Sequence, residues 1–381
     1  MNSVEAFSTL VKEKSYKGKP KAPLFNITFF LGAGFSKSWD EAFPAGDQLF
    51  ELQPKEWEKC EVLEEFLALN NYQTVNLTIS SGLFKDIVYQ LGMLKKYPSI
   101  RPRYIDEQNI AIVETELRNL IYEKFKATAP LYYFDPHTEK LKLESPFTDE
   151  QKNIFDFFSR IFEESDGSGG VSEGLRTHFI TTNYDFTIDA ILDGCTAPDD
   201  TFNLYTYRGI TSKSISGSDN PTIVHNHWLV RNLLKINGGF EIFKCGDGYE
   251  VDYRKKPNSE IKANPPQIML PSREQDYLQS YFQAIFPKAI RLLHETSALV
   301  IVGYSLPEED ALIRLILKQF AEDRTDGAEK LVFYVDLLDD STQINRINEV
   351  FPHVNTGDGL KVIPFSGKFA TWAKMVAEKM I

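Results

Sequence analysis

Short apolar runs that end in glycine or in polar residues recur along this chain. The first is Ile27–Leu31, which runs directly into Gly32–Ser36, a segment that reads Gly-Ala-Gly-Phe-Ser. An unbroken apolar run of this length predicts a strand buried on both faces, as in a parallel sheet. The two glycines predict a tight turn in which the backbone approaches another group closely, and Ser36 is placed to cap the following helix.

Later runs repeat this form, an apolar stretch followed by a polar turn, at His178–Asp185, Ala298–Ser305 and Leu331–Asp336. Residues with helical spacing separate the runs. Strands that alternate with helices predict an α/β fold with a parallel sheet. Gly359–Phe365 is expected to form an edge strand, and Lys368–Lys379 a closing helix.

The region between the first two runs has helical periodicity. Apolar residues recur at three- and four-residue spacing within Glu61–Asn71, Leu83–Lys96 and Asn109–Lys126, and again after the capping-box sequence Thr148–Gln151. A further amphipathic helix is expected near Asp47. The Phe-Pro-Ala-Gly loop before it is either a cover for a bound ligand or a plain connector.

Residues 195–270 change character, because Gly, Ser, Asn and Pro become frequent and short strand-like runs replace helices. Within the run Thr222–Val230, His225 and His227 are two positions apart and would project to one face of a strand. No third ligand follows at a recognisable metal-site spacing. The pair is either an acid/base histidine beside a structural one or two core histidines.

Composition narrows the choice of function. The chain has 381 residues and a formal net charge of −12, which argues against DNA or an anionic membrane as its main partner. Its length fits one elaborated domain or two. Cys60, Cys195 and Cys245 show no metal-ligand spacing, and neither a signal peptide nor an apolar run of membrane length is evident. We therefore expect a cytoplasmic protein.

The glycine turn at 32–36 is a candidate anion site. A strand, a Gly-x-Gly turn and a helix start are typical of diphosphate binding, although a plain tight turn has the same pattern. A dehydrogenase fingerprint is incomplete, because Lys37 stands where the third glycine belongs. Asn183 and Asp185, at the end of a predicted strand, are placed to hydrogen-bond a sugar or an amide, or else to cap the next helix.

Four segments in this order resemble the sirtuin-type NAD-binding fold, in particular the bacterial sirtuin-like NAD hydrolases of anti-phage defence that are associated with HerA. The segments are Gly32–Ser36, Thr182–Asp185, His225–His227 and Gly303–Leu306. The resemblance implies a single domain over 1–381, a Rossmann-like parallel sheet of the sirtuin type. Its core would comprise about 22–50, 171–195 and 290–381, with a helical insertion at 50–170 and a small mixed insertion carrying the His loop at 195–290.

The resemblance also implies roles for individual residues. Asn183 would hydrogen-bond the nicotinamide ribose or the attacking water, Asp185 would lie near the nicotinamide, and Asp336 would approach the adenine ribose. Either His225 or His227 would be the catalytic base, and the His-x-His alignment favours His227, although Trp228 replaces the usual glycine. Binding of the diphosphate and its surroundings would fall to Gly32, Ala33, Gly34, Ser36, Gly303 and Ser305.

The implied activity is hydrolysis of NAD to nicotinamide and ADP-ribose, which depletes NAD during anti-phage defence. NAD would be the substrate, and no metal is needed because its nicotinamide leaving group is already activated. The four-cysteine zinc module of sirtuin deacylases is absent from the sequence, which makes deacylation the weaker alternative. A non-catalytic subunit that senses NAD or ADP-ribose is another alternative. The family implies a homo-oligomer and a companion HerA-type ATPase, with no direct nucleic-acid or membrane binding.

Overall fold

The structure is a computed structural model of the chain. The described residues are 2–15, 23–44, 46–128, 133–135, 140–143, 146–165, 174–195, 212–215, 218–219, 232–254, 256–273, 277, 279–308, 310–322, 329–351 and 360–380.

Twelve strands occur in the described residues. In chain order they are β1 Phe25–Leu31, β2 Tyr133–Asp135, β3 Lys140–Lys142, β4 Leu175–Thr181, β5 Ser212–Ile215, β6 Ser218–Asp219, β7 Leu233–Lys235, β8 Ile242–Cys245, β9 Gly248–Val251, β10 Ala298–Val302, β11 Lys330–Asp336 and β12 Leu360–Ser366.

The helices of the described residues are α1 Ser3–Lys14, α2 Ala33–Trp39, α3 Pro54–Trp57, α4 Glu61–Leu69, α5 Ser81–Lys96, α6 Glu107–Thr128, α7 Asp149–Ser165, α8 Thr187–Cys195, α9 Asn258–Ala263, α10 Ser280–Glu295, α11 Ala311–Glu322, α12 Asp340–Val350 and α13 Phe369–Met380. Short 3₁₀ helices cover Gly46–Phe50 and Pro98–Ile100. No helix in the described ranges is long and apolar enough to cross a bilayer.

A six-stranded sheet lies at the centre, with the spatial order β12-β11-β10-β1-β4-β7. All of its strand pairs are parallel. The sheet strand that comes first in the chain, β1, lies between the second, β4, and the fourth, β10. This is the Rossmann arrangement. The strand order reverses at β1 and β10, and ligands of such sheets bind at that point, outside the carboxyl ends of the strands.

Apolar side chains of β1 alternate between the two faces of the sheet. Phe29 contributes to one buried cluster and Phe30 to the other, and neither side chain is exposed. Phe29 stacks on Phe179 of the neighbouring strand with ring centroids 5.5 Å apart. Burial on both faces explains the continuous apolar run of this strand.

Helices cover both faces. On the first face α1, α7 and α13 form an aromatic layer in which Phe157 lies 6.0 Å from Phe29 and 5.4 Å from Trp372, measured between ring centroids. On the second face, α10, α11 and α12 pack against the cluster that contains Phe30. The helix α7, which the sequence analysis placed within the insertion, therefore lies directly on the sheet.

The structure confirms the predicted α/β fold and its parallel sheet, with β12 at one edge. The predicted capping box is present, since Gln151 N–H donates to Thr148 Oγ1 and the Gln151 side chain accepts from Thr148 N–H. The prediction of an amphipathic helix that begins near Asp47 is wrong, because the chain there forms only the 3₁₀ helix Gly46–Phe50. The division into one core and two insertions stays a prediction.

A second sheet lies within the 195–290 region, with the order β6-β5-β9-β8. Its strands β8 and β9 form an antiparallel hairpin, whereas β5 and β9 are parallel. The predicted change to short strands is therefore observed in the described part of this region.

Candidate functional site

Two turns meet at the carboxyl ends of β1 and β10. Gly32 N–H donates to Val302 O and Gly34 N–H to Gly303 O, both at 2.9 Å. A Cβ atom on Gly32 would lie 2.5 Å from Gly303 O, and one on Gly303 would lie 2.5 Å from the Cα atom of Gly34. Gly303 also has a φ of +57°, which a residue with a side chain rarely adopts.

The glycines are therefore required by the contact between the two turns. Their N–H groups donate within the protein, and binding of a diphosphate by Gly32 and Gly34 stays a prediction. Ala33 is the first residue of α2, and its N–H has no acceptor within that helix. Ala33 and Ser36 both line the adjacent cavity, so this turn still contributes to the site.

Three predicted site residues are connected by hydrogen bonds. The Asn183 side-chain amide donates to Gly32 O at 2.8 Å and to Ser36 Oγ at 2.9 Å. The Ser36 hydroxyl in turn donates to Asp185 Oδ2 at 2.6 Å. Because both donor directions of the Asn183 amide lie on protein acceptors, its Oδ1 is the atom that remains for a ligand or a water.

The turn after β4 has a defined conformation. Asn183 N–H donates to Thr181 Oγ1 at 3.0 Å, and Asp185 Oδ1 accepts the Thr187 N–H at 2.8 Å just before α8. The second contact is the helix-start role that the sequence left open for Asp185. Asp185 is 8% exposed. It therefore belongs both to the helix start and to the cluster with Ser36.

A cavity of about 500 Å³ opens beside these residues. This volume is within the range of small-molecule sites. The strand-end turns contribute Ala33, Ser36, Thr182, Asn183, Asp185 and Ser305 to its wall. The predicted residues Asn183, Asp185, Ser36, Ala33 and Ser305 are thus brought together.

Other predicted residues lie elsewhere. Asp336 is the last residue of β11, two strands away from β1, and does not line the cavity. Its Oδ1 accepts the Leu338 N–H at 3.2 Å. Gly303 packs behind the wall. His225 and His227 lie outside the described residues. The described histidines, His178 and His294, do not line the cavity.

Sequence reasoning missed Asn237, which follows β7 and lines the cavity. Its backbone is fixed, since its carbonyl accepts the Met269 N–H at 2.8 Å and the next residue, Gly238, has a φ of +81°. A signal was present in the sequence, because Leu233–Ile236, apolar except for Lys235, is a short run that meets Asn-Gly-Gly at 237–239. This is the same pattern as at the other strand ends.

The segment 46–128 supplies an outer wall of the cavity. Phe125 of α6 stacks on Phe240, with ring centroids 4.3 Å apart, and both rings line the cavity. Lys85 of α5 also lines it and lies 3.0 Å from Asp47. Arg273, which also lines the cavity, lies 2.8 Å from Asp86 of the same helix. This part of the predicted insertion therefore shapes the site.

Tyrosines and a further carboxylate complete the inner wall. Tyr184 donates to Met269 O at 2.5 Å, and burial raises the pKa of its hydroxyl. Tyr304 donates to Asp310 Oδ2 at 2.6 Å, and burial together with the Asp310 carboxylate raises the pKa of Tyr304. Asp310 lines the cavity, so Asp185 and Asp310 place two carboxylates near one space. Lys85 and Arg273 line the same cavity, so its wall carries charges of both signs.

No cluster of three or more His, Cys, Asp and Glu side chains suited to a metal ion occurs among the residues with defined placement. The described wall of the cavity carries carboxylate, amide and hydroxyl groups together with the cationic side chains of Lys85 and Arg273.

Comparison with known proteins gives similarity of structure only. No protein-family model matches the sequence, and no curated protein sequence matches it. Solved structures of Sir2 proteins do match. One, with a deacetylated p53 peptide and 3′-O-acetyl ADP ribose, is 13% identical with a TM-score of 0.40, covering 100% of this chain and 98% of that one. A Sir2 homologue with ADP ribose is 12% identical with a TM-score of 0.38, covering 98% and 95%.

Proposed function

We propose that this protein is an NAD hydrolase that cleaves the bond between nicotinamide and ribose and releases ADP-ribose. The observation that carries the proposal is the connected set Asn183, Ser36 and Asp185, which faces a cavity at the switch point of a Rossmann-ordered sheet. Switch points of this kind are where dinucleotides bind. The sequence resemblance to sirtuin-like NAD hydrolases supports the same choice of ligand.

The carboxylates fit the chemistry of this cleavage. As the bond breaks, the ribose acquires positive charge and the nicotinamide becomes neutral. Asp185 and Asp310 are fixed by donors from Ser36 and Tyr304, so their negative charges are oriented before reaction. Preorganised charge of this kind stabilises a developing cation more effectively than water does.

Asn183 is proposed to orient the attacking water. Its amide nitrogen is held by Gly32 O and Ser36 Oγ, so Oδ1 would accept a hydrogen bond from a water or a ribose hydroxyl. The water loses a proton when it adds to the ribose carbon. His227, or His225 in its place, is proposed as the base, and such general-base assistance contributes ~10²–10⁴-fold to a rate.

A second candidate function is binding of NAD or ADP-ribose without cleavage. The observation that favours it is that Asn237, which carries an amide, lines the cavity after the end of β7. An amide cannot serve as a general base at neutral pH. In this case the protein would report NAD or ADP-ribose to a complex.

Product analysis separates the two candidates. Purified protein is incubated with NAD, and nicotinamide and ADP-ribose are quantified, while NAD binding is measured by calorimetry on the same preparation. Equal amounts of both products, lost in Asn183→Ala, support the hydrolase. Saturable binding of NAD with no product, in the presence and absence of a companion ATPase, supports the binding function.

The biological setting is proposed on the sequence resemblance alone. We place the protein in anti-phage defence as a homo-oligomer that works with a HerA-type ATPase. The test is whether a co-expressed ATPase of that type co-purifies with the chain and raises its rate of nicotinamide release.

A further inference from the structure

A lysine is buried directly behind the Asn183–Asp185 turn. Lys235, the last residue of β7, has a side chain that is 3% exposed. Its ammonium group donates to the main-chain carbonyl of Asp185 at 2.7 Å and lies 2.9 Å from Asp189 Oδ2 and 2.7 Å from Glu241 Oε1. An ammonium group has three donors, so these contacts use all of them.

The two carboxylates come from different parts of the fold. Asp189 lies on α8, is 0% exposed and also accepts from the Tyr253 hydroxyl at 2.6 Å. Glu241 is 1% exposed and follows the cavity residue Phe240. The Tyr281 hydroxyl donates to the main-chain carbonyl of Lys235 at 2.8 Å. The cluster thus joins β7, α8 and the 237–241 turn.

The charges explain why the lysine stays ionised. Burial alone would lower the pKa of Lys235, but Asp189 and Glu241 outweigh it and raise that pKa. Burial, with the Asp189 charge, raises the pKa of Glu241 to about 7. One ammonium group faces two carboxylates, so the cluster is closest to neutral when Glu241 holds a proton.

We propose that Lys235 is a positioning residue of the candidate site. By bonding the Asp185 carbonyl inside a closed ion cluster, it fixes the turn that presents Asn183 and Asp185 to the cavity. A buried ion pair gives little net stability compared with apolar residues, so its retention needs a reason such as fixing one conformation. Here the fixed element is the turn that carries the site.

The test compares a variant of this cluster with a control variant of a different ion cluster. In Lys235→Met with Asp189→Asn and Glu241→Gln, every charge is removed, so no unpaired buried charge is left to prevent folding. The Asp185 carbonyl loses its donor. The matched control is Lys256→Met. It removes another ammonium group that contacts two carboxylates, Glu250 at 3.0 Å and Asp252 at 3.1 Å, and this group does not line the cavity.

Two measurements are made on these proteins. Hydrogen exchange of the 182–188 segment does not depend on any activity, and we expect it to quicken on the order of tenfold in the triple variant only. The kinetic measurement rests on the proposed function. We expect kcat for NAD cleavage to fall about 10²-fold with KM changed little, as for a displaced catalytic group.

Exchange at wild-type rates in a folded triple variant overturns the proposal, as does an unchanged kcat. Exchange of the 182–188 segment that quickens equally in Lys256→Met also overturns the proposal, because the effect would then reflect a general loosening of the fold. A wild-type protein that never cleaves NAD refutes the proposed function instead, and the exchange measurement alone then decides the role of Lys235.

Discussion

Ser36 and Asp185 lie 149 positions apart in the sequence, yet the Ser36 hydroxyl donates a 2.6 Å hydrogen bond to Asp185 Oδ2. The bond joins α2, the helix that follows β1, to the turn after β4, and β1 and β4 are neighbouring strands of the sheet. Because Asn183 donates to the same hydroxyl oxygen, Ser36 connects both residues that we assign to the reaction.

Replacing Ser36 by alanine tests this connection. Asn183 keeps Gly32 O as an acceptor and Asp185 keeps the Thr187 N–H as a donor, so the fold should survive. Loss of one charge-assisted hydrogen bond is expected to reduce stability by about 1.5–3 kcal/mol and NAD cleavage by at least about tenfold. Steady-state kinetics provide the measurement. Ser38→Ala, on the same helix but outside the cavity wall, should behave as wild type.

Gly303→Ala should be strongly destabilising. The new Cβ would lie 2.5 Å from the Gly34 Cα atom, at a φ of +57°. We expect a loss of more than about 2 kcal/mol by urea unfolding, since strain and overpacking act together. Gly92→Ala is the control, because nothing lies within 4 Å of its Cβ position in α5. That variant should be as stable as wild type or up to about 1 kcal/mol more stable.

The acid Glu241 gives a pH-dependent prediction. Its folded pKa is raised from 4.5 to about 7, so its contribution to stability is full below the unfolded value and is lost as pH rises through about 7. Glu241→Gln should therefore gain stability relative to wild type between pH 5 and 8, by about 1–3 kcal/mol. Unfolding at several pH values tests this. If the stability of both proteins depends on pH in the same way, Glu241 does not titrate in this range. The control is Glu378→Gln, at an exposed position.

Phe157→Ala should test the aromatic layer under the sheet. The ring is 0% exposed and lies 5.0 Å from Phe158, centroid to centroid. Removing such a ring from a core costs about 3–5 kcal/mol. Thermal or urea unfolding measures the loss. Leu337→Ala, whose side chain is 74% exposed, should change stability by less than about 0.5 kcal/mol.

Much of this fold was predictable from the sequence, because its strands and helices follow from the local pattern of apolar and polar residues. Segments of five to seven residues that are mostly apolar or β-branched, each followed by a turn, mark β1, β4, β10 and β11. Asn183, Asp185 and Ser36 were found for the same reason, since they follow such runs. The Rossmann strand order then brings their turns to one edge.

Contacts between distant segments were not predictable. Nothing local in the sequence shows that Gly303 fills the space beside Gly34. Lys235 looks like a surface lysine until Asp189 and Glu241 are placed beside it. Asn237 follows a run of only three strand residues, too short to stand out.

The central claim is that the cavity beside Asn183 cleaves NAD. The most direct test is the rate of nicotinamide release from NAD by the wild-type protein, by Asn183→Ala and by the control Ser38→Ala, alone and with a companion ATPase. We predict release by the wild type and the control, with a loss of at least about 10²-fold in Asn183→Ala. Equal release by all three proteins, or none by a wild-type protein that binds NAD, would contradict the claim.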